Sequence, residues 1–301
     1  MTTWIETYRG VVHRWEVDTV DHFTVAYYFQ RFADASLALL EALGLGPAYV
    51  ARTGLGCVLS EGYVRYLKEL RAGDILHVQS GVIDVDSTGI GIGHKLFDSG
   101  SGALCATVAE RARHVELSTN APVPLSSGEQ AAARPHLVRW DGPPRERRAH
   151  PPGDEGFLMA AREFVKPGEM DVYGQSAPLF YIHRFSAANG HVLAAFGMTP
   201  AYQREQHRGF STFEFQLDFP GRLRAGDPAL VRSGLLHVGT SSLHILHRMR
   251  NGRTGEVVAT LDQLGVHLDL DARRPAPLPE ALRERARALQ VSSSVAHRDR
   301  E

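Results

Sequence analysis

The chain writes one fifteen-residue segment twice. Residues 18–32 run Asp-Thr-Val-Asp-His-Phe-Thr-Val-Ala-Tyr-Tyr-Phe-Gln-Arg-Phe, and residues 171–185 run Asp-Val-Tyr-Gly-Gln-Ser-Ala-Pro-Leu-Phe-Tyr-Ile-His-Arg-Phe. Asp18 and Asp171, Tyr28 and Tyr181, Arg31 and Arg184, and Phe32 and Phe185 are each 153 positions apart (171 − 18). Without a gap, the same register pairs Glu16 with Glu169, Gly44 with Gly197, Tyr49 with Tyr202 and Glu61 with Glu214. It continues through Arg71-Ala-Gly-Asp74 and Arg224-Ala-Gly-Asp227, His94 and His247, Thr107 and Thr260, and ends on His114 and His267. One register held over that distance means tandem duplication of a single structural unit. Any fold for this chain must therefore be built twice.

Each copy follows the same order. A β-branched and aromatic stretch, 6–17, reads as a strand, and an acidic turn follows. From Phe23 to Leu43, apolar residues such as Tyr28, Phe29, Phe32, Leu39 and Leu40 recur at spacings of three and four, which predicts a helix buried on most sides. Gly44 and Gly46-Pro47 end it. Strands are predicted at 53–66, 74–85, 89–98 and 103–117, divided by glycine-bearing turns. The second copy repeats this with a strand at 159–169, a helix at 176–196 and strands at 209–219, 227–240, 242–251 and 255–270. Strand, helix, then an antiparallel meander is an α+β order without βαβ alternation. The chain divides into a unit at 1–120, a Pro- and Arg-rich linker at 121–155, and a second unit at 156–301. The linker has room for a short helix near 129–134. A terminal helix is expected at 280–289, followed by a polar tail at 291–301.

Among 301 residues, a net charge of −1 leaves no basic footprint for nucleic acid or an anionic membrane. No apolar run approaches the ~20 residues of a membrane span, and the first residues lack the layout of a signal peptide. Cys57 and Cys105 sit in apolar runs and read as buried, reduced side chains. A cytoplasmic location is the expectation.

Asp-x-x-Gly-His, with Tyr ten and Phe fourteen residues after the Asp, resembles the motif of the hotdog-superfamily thioesterases. The resemblance is to the acyl-CoA thioesterases of hydroxybenzoyl-CoA thioesterase-like kind. Here the spacing reads Asp18, His22, Tyr28, Phe32 and Asp171, Gly174, Tyr181, Phe185. The likeness continues through Glu61 and Ala-Gly-Asp74 to an Ala-Thr strand ending in His114-Val-Glu, and through the same landmarks of the second copy. That ending is similar to the acyl-CoA thioesterases found beside carnitine metabolism. The resemblance implies a double hotdog, with two long helices each wrapped by an antiparallel sheet, and a site where the helix of one unit meets the sheet of the other. Neither copy keeps the paired asparagines common in the family turn. The first has Asp21-His22-Phe-Thr24-Val25 and the second Gly174-Gln175-Ser176-Ala177-Pro178.

On that reading the reaction is hydrolysis of an acyl thioester of coenzyme A or acyl carrier protein. The thiol group is part of the substrate, and no separate cofactor or metal is expected. Asp18 and Asp171 would act as base or nucleophile, and His22 would position water or the carbonyl. Backbone N–H groups around 23–25 and 176–179 would hold the oxyanion. Thr24, Tyr28, Gln175, Ser176 and Tyr181 would line the substrate pocket, and Arg65, Arg71 and Arg224 would meet phosphates. Glu61 and Glu214 lie on apolar strands, where a carboxylate needs a partner. A structural bond and a catalytic role both stay open for them. Rival readings are a dehydratase or lyase on the same fold, or a non-catalytic acyl-binding module. The resemblance leaves association of two such chains open, since hotdog sheets often pair. Gly89-Ile-Gly-Ile-Gly93 has neither the spacing nor the βαβ setting of a dinucleotide loop. His244 and His247 are three apart on a strand and face opposite ways, so they do not pair on a metal.

Overall fold

The computed structural model describes residues 4–291, so the polar tail from 292 onward lies outside the described residues. The first unit runs β1 (Ile5–Val11), α1 (Val25–Ala42), α2 (Pro47–Thr53), β2 (Leu55–Tyr66), β3 (Ile75–Asp86), β4 (Gly89–Asp98) and β5 (Leu104–Glu116). The linker contains α3 (Ser127–Ala133). The second unit runs β6 (Leu158–Phe164), α4 (Pro178–Ala195), α5 (Pro200–Gln206), β7 (Arg208–Asp218), β8 (Pro228–Val238), β9 (Ser242–Asn251), β10 (Val257–Asp269), β11 (Arg274–Pro275) and α6 (Glu280–Ala288). This is the expected double hotdog.

Three details depart from the sequence reading. The opening strand stops at Val11, and Arg14–Glu16 forms a 3-10 turn that brings Glu16 inward. The strand expected at 159–169 likewise gives way to a 3-10 turn at Pro167–Glu169. After each central helix a short helix appears, α2 or α5, where only a glycine and proline stop was read. Tyr49 and Tyr202 on these helices reach His114 and His267 of the sheet at 2.9 and 3.0 Å. This pair of repeated sheet histidines thus serves packing.

Ten strands of an eleven-stranded antiparallel sheet follow the order β1-β3-β4-β5-β2-β7-β10-β9-β8-β6, and β11 pairs with β10. The two copies join at β2 and β7, where Tyr63 pairs with Gln216. These two are each other's counterparts in the duplication, so the local two-fold axis passes between them. The same symmetry sets Glu61 opposite Asp218 and Arg65 opposite Glu214.

Helices α1 and α4 lie side by side on the concave face. Phe29, Phe32, Tyr181 and Phe185 are at most 1% exposed and share one core with Val64, Phe215 and Leu261 of the sheet. That explains why neither helix reads as a narrow amphipathic stripe: each is covered by sheet, partner helix and loop. The linker crosses the opposite face at the seam. Arg145 bonds Glu61 and Asp218, Arg148 bonds Glu214 and Asp262, and His150 bonds Asp262. Two like charges opposed across a strand pair destabilise it, and Arg145 removes that conflict between Glu61 and Asp218. Among the described residues no helix is long and apolar enough to cross a membrane.

Candidate active site

Each repeated turn is held to its helix by a buried ion pair. Arg31 on α1 reaches both oxygens of Glu16 at 2.6 and 2.7 Å, and Arg184 on α4 reaches Glu169 at 2.7 Å. The Glu16 backbone carbonyl accepts from Thr24 N–H, and that of Glu169 accepts from Ala177 N–H. The chain then turns through a left-handed residue, Asp21 (φ 60°) in one copy and Gly174 (φ 71°) in the other. This is the place where the family motif carries glycine, and glycine enters that region at no steric cost.

Two cavities result, each made by the turn of one unit and the helix and sheet of the other. The Asp18 cavity, about 540 Å³, is lined by Asp18, His22, Thr24, Val25 and Tyr28 from the first unit. Asn189 of α4, Thr212 of β7 and Gln263 of β10 come from the second unit, and Arg273 closes its rim. The Asp171 cavity, about 410 Å³, is lined by Asp171, Gln175, Ser176, Leu179, Tyr181 and Arg222 from the second unit. Phe29, Asp34 and Ser36 of α1, Cys57 of β2 and Glu110 of β5 face them.

In both cavities one aspartate oxygen is committed to the turn. Asp18 Oδ1 accepts from the N–H groups of Val20 and His22 at 2.9 and 3.0 Å, and Asp171 Oδ1 accepts from those of Tyr173 and Gln175 at 2.9 and 3.1 Å. Each Oδ2 is left for water or a substrate. Asp18 stands at the exposed rim and Asp171 is half-buried. Burial pushes the Asp171 carboxyl above its ordinary range, against the two backbone bonds.

Beyond the aspartates the copies diverge. His22 Nε2 lies 2.8 Å from Glu69, while burial holds the imidazole below its ordinary pKa against the pull of Asp18 and Glu69. Burial would raise Glu69, but bonds from Arg273 and Arg71 outweigh it and bring the carboxyl to about 2. The second copy has Gln175 for His22 and Arg222 for Glu69. The helix starts differ too. Phe23 and Thr24 N–H groups go to Leu70 and Glu16 carbonyls, and Ser176 and Ala177 N–H groups to Leu223 and Glu169. The next residue is the first helical one: Val25, whose N–H is open at the helix end, or Pro178, which has none.

Of the residues singled out from sequence, Asp18, His22, Thr24 and Tyr28 meet in one cavity, and Asp171, Gln175, Ser176 and Tyr181 in the other. The Tyr181 hydroxyl accepts from Leu223 N–H at 2.8 Å, and burial pushes it up to about 12. Glu61 and Glu214 reach neither cavity. They project from the opposite face of the sheet and bind linker arginines, which are the partners a carboxylate on such a strand needs. Arg65 lies there too, 3.2 Å from Glu214. Arg71 sits beside the Asp18 cavity, tied to Glu69 at 2.6 Å. Arg224 is bonded to the Ser118 carbonyl. Cys57 lines the Asp171 cavity, and burial raises its thiol to about 12, away from the thiolate that a nucleophile needs. The sequence reading missed Glu69, Arg273, Ser36, Glu110, Asn189 and Gln263. The 153 register itself pairs Ser36 with Asn189 and Glu110 with Gln263, but dissimilar residue types hid those pairs.

A family model described as "Thioesterase-like superfamily" matches residues 11–139 and 165–286. The chain belongs to this superfamily. Its two matched ranges are the two structural copies. A betainyl-CoA thioesterase of Pseudomonas aeruginosa is 30% identical over 138 residues, covering 44% of this chain and 87% of that protein. An acyl-ACP thioesterase from Bacteroides thetaiotaomicron superposes with a TM-score of 0.66 at 15% identity, covering 86% of this chain and 96% of its own. The 12:0-ACP thioesterase of Umbellularia californica superposes with a TM-score of 0.69 at 11% identity, covering 86% and 93%. At those identities the two structures speak for the fold alone. This thioesterase-superfamily chain is a hydrolase of acyl thioesters.

Proposed function

We propose that hydrolysis takes place in the Asp18 cavity and that acyl-CoA is the substrate. The observation that carries this reading is the difference at the first helical position, Val25 against Pro178. The thioester carbonyl would approach the start of α1, where the open Val25 N–H and the positive end of the helix stabilise the developing oxyanion. Asp18, fixed through Oδ1, presents Oδ2 either to a water as general base or to the carbonyl carbon as nucleophile. His22, oriented by Glu69, positions the water or the thioester. In the Asp171 cavity the corresponding donor and imidazole are both absent, so hydrolysis there is slow.

The choice of coenzyme A over a carrier protein is supported by the Pseudomonas relative, which is named for a CoA thioester. Lys68 and Arg273 line the same cavity and offer cations to phosphates. Association of chains through the outer sheet face would displace the linker, so we assign any homo-oligomer to another surface. A cytoplasmic location fits a CoA substrate.

Thiol release over a panel of acyl-CoAs tests the reading. Asp18→Asn is expected to abolish release and Asp171→Asn to leave it nearly intact. The reverse pattern would move the chemistry to the other cavity, and no release from wild type with any acyl-CoA would remove it.

A further inference from the structure

We propose that the Asp171 cavity is a binding site for an organic cation, an alkylammonium group carried on a small apolar body. The proposal rests on the assignment of hydrolysis to the Asp18 cavity, which frees this cavity for another ligand.

Its floor carries a carboxylate. Glu110 is 7% exposed, its Oε2 accepts from Ser36 Oγ at 2.9 Å, and it lies 3.4 Å from His94 Nε2. His94 is itself bonded to Ser36 Oγ at 2.9 Å and, through Nδ1, to Ser80 Oγ at 2.6 Å. Among the described residues, no arginine or lysine is paired with Glu110. Arg222, on the same wall, bonds the carbonyls of Leu59 and Gly221 and lies in the field of Asp171. Beside Glu110 stands the His94 imidazole, a cation only when protonated. A carboxylate taken out of water without a permanent cation is costly, and a cationic ligand lowers that cost.

The walls suit such a ligand. Phe29, Tyr173, Phe180 and Phe219 line the cavity with aromatic surface, which attracts ammonium groups once they are desolvated. Asp34 on α1 adds a third carboxylate, after Glu110 and Asp171, toward the mouth. An independent sign of a missing ligand is Ser176, which is 3% exposed and lines the cavity. Its Oγ has no hydrogen-bond partner, and neither does the buried hydroxyl of Tyr173. Either hydroxyl can serve a polar atom on the ligand body.

The duplication supplies an internal control. In the Asp18 cavity the floor residue is Gln263, an amide bonded to His247 at 3.0 Å and to Thr212 at 2.7 Å, and Ser36 is replaced by Asn189. The histidine and serine behind are the same in both copies, with Ser233 Oγ 2.7 Å from His247 Nδ1. One floor is charged and the other neutral within otherwise equivalent frameworks.

Calorimetric titration with choline and with its uncharged isostere 3,3-dimethyl-1-butanol tests this. Wild type and Asp18→Asn should both bind choline in preference to the isostere, so that loss of hydrolysis and loss of binding are separable. Glu110→Gln, which installs the side chain the other copy already accommodates, should weaken choline by about tenfold or more and leave the isostere unchanged. Equal binding of choline and isostere, no binding of choline, or an unchanged affinity in Glu110→Gln would overturn the proposal. Should Glu110→Gln fail to fold, the wild-type preference decides alone.

Discussion

Val25 and Pro178 occupy the same place in the two copies, the first position of α1 and of α4, and only Val25 has an N–H to offer. Proline is well tolerated at a helix start because the N–H there has no helical partner. The second copy thus lost a donor without losing its helix.

Val25→Pro should therefore disable hydrolysis and leave the fold intact. Removing one oxyanion donor costs roughly a hundred- to a thousandfold in kcat. Steady-state thiol release gives the rate, and thermal denaturation checks the fold. A variant with normal kcat would show that the carbonyl does not bind at this helix end.

The Arg31–Glu16 pair sits where neither charge meets water, with side chains 6% and 4% exposed. Arg31→Met leaves Glu16 buried and uncompensated, a loss of about 3–5 kcal/mol. Denaturant unfolding measures it. Arg184→Met should cost less, because Lys166 still stands 3.3 Å from Glu169.

The linker arginines hold the seam. Arg148 joins Glu214 and Asp262, carboxylates only 4% and 1% exposed. Arg148→Met should lower stability by about 2–3 kcal/mol, since His150 and His244 still serve Asp262 and Arg65 still serves Glu214. Glu61→Gln should leave kcat within about twofold, because that carboxylate lines neither cavity and lies on the other face of the sheet. A hundredfold loss in Glu61→Gln would reinstate it as a catalytic group.

Burial holds His247 neutral, its pKa falling from the ordinary 6.5 to about 4. As pH drops, the unfolded chain takes up this proton before the folded one does. Its contribution to stability is therefore full above pH 6.5 and is lost as pH falls toward 4, by roughly 3 kcal/mol at most. Thermal melts at pH 7 and pH 4.5 should show the loss in wild type and a smaller one in His247→Gln. Equal losses would mean that His247 is already protonated in the fold.

Much of this was legible in the sequence. The helices were marked by apolar residues at spacings of three and four, and the meanders by their glycine turns, because both are local patterns. The motif aspartates and His22 were legible because their spacing is kept within one turn and helix. Which face Glu61 and Glu214 take, and what they meet there, is something that sequence cannot show. A strand alternates faces, and the bulge at Ser60, between Leu59 and Glu61, shifts that alternation. The partners of these carboxylates come from a linker 84 residues beyond Glu61 and 66 before Glu214. Arg145 and Arg148 read as part of a solvated linker until the fold brought that segment across the sheet.

The sequence by itself determined that there are two copies, what each contains, and that in each an aspartate opens the turn that leads into a buried helix. Those are matters of local spacing and hydrophobic period. Only the tertiary structure decided which helix faces which turn, and so which of Ser36 or Asn189, and of Glu110 or Gln263, completes each cavity. The pairing of β2 with β7 crosses the two units, and a side chain's chemistry depends on what stands opposite it. That is set by long-range packing, which no local pattern records.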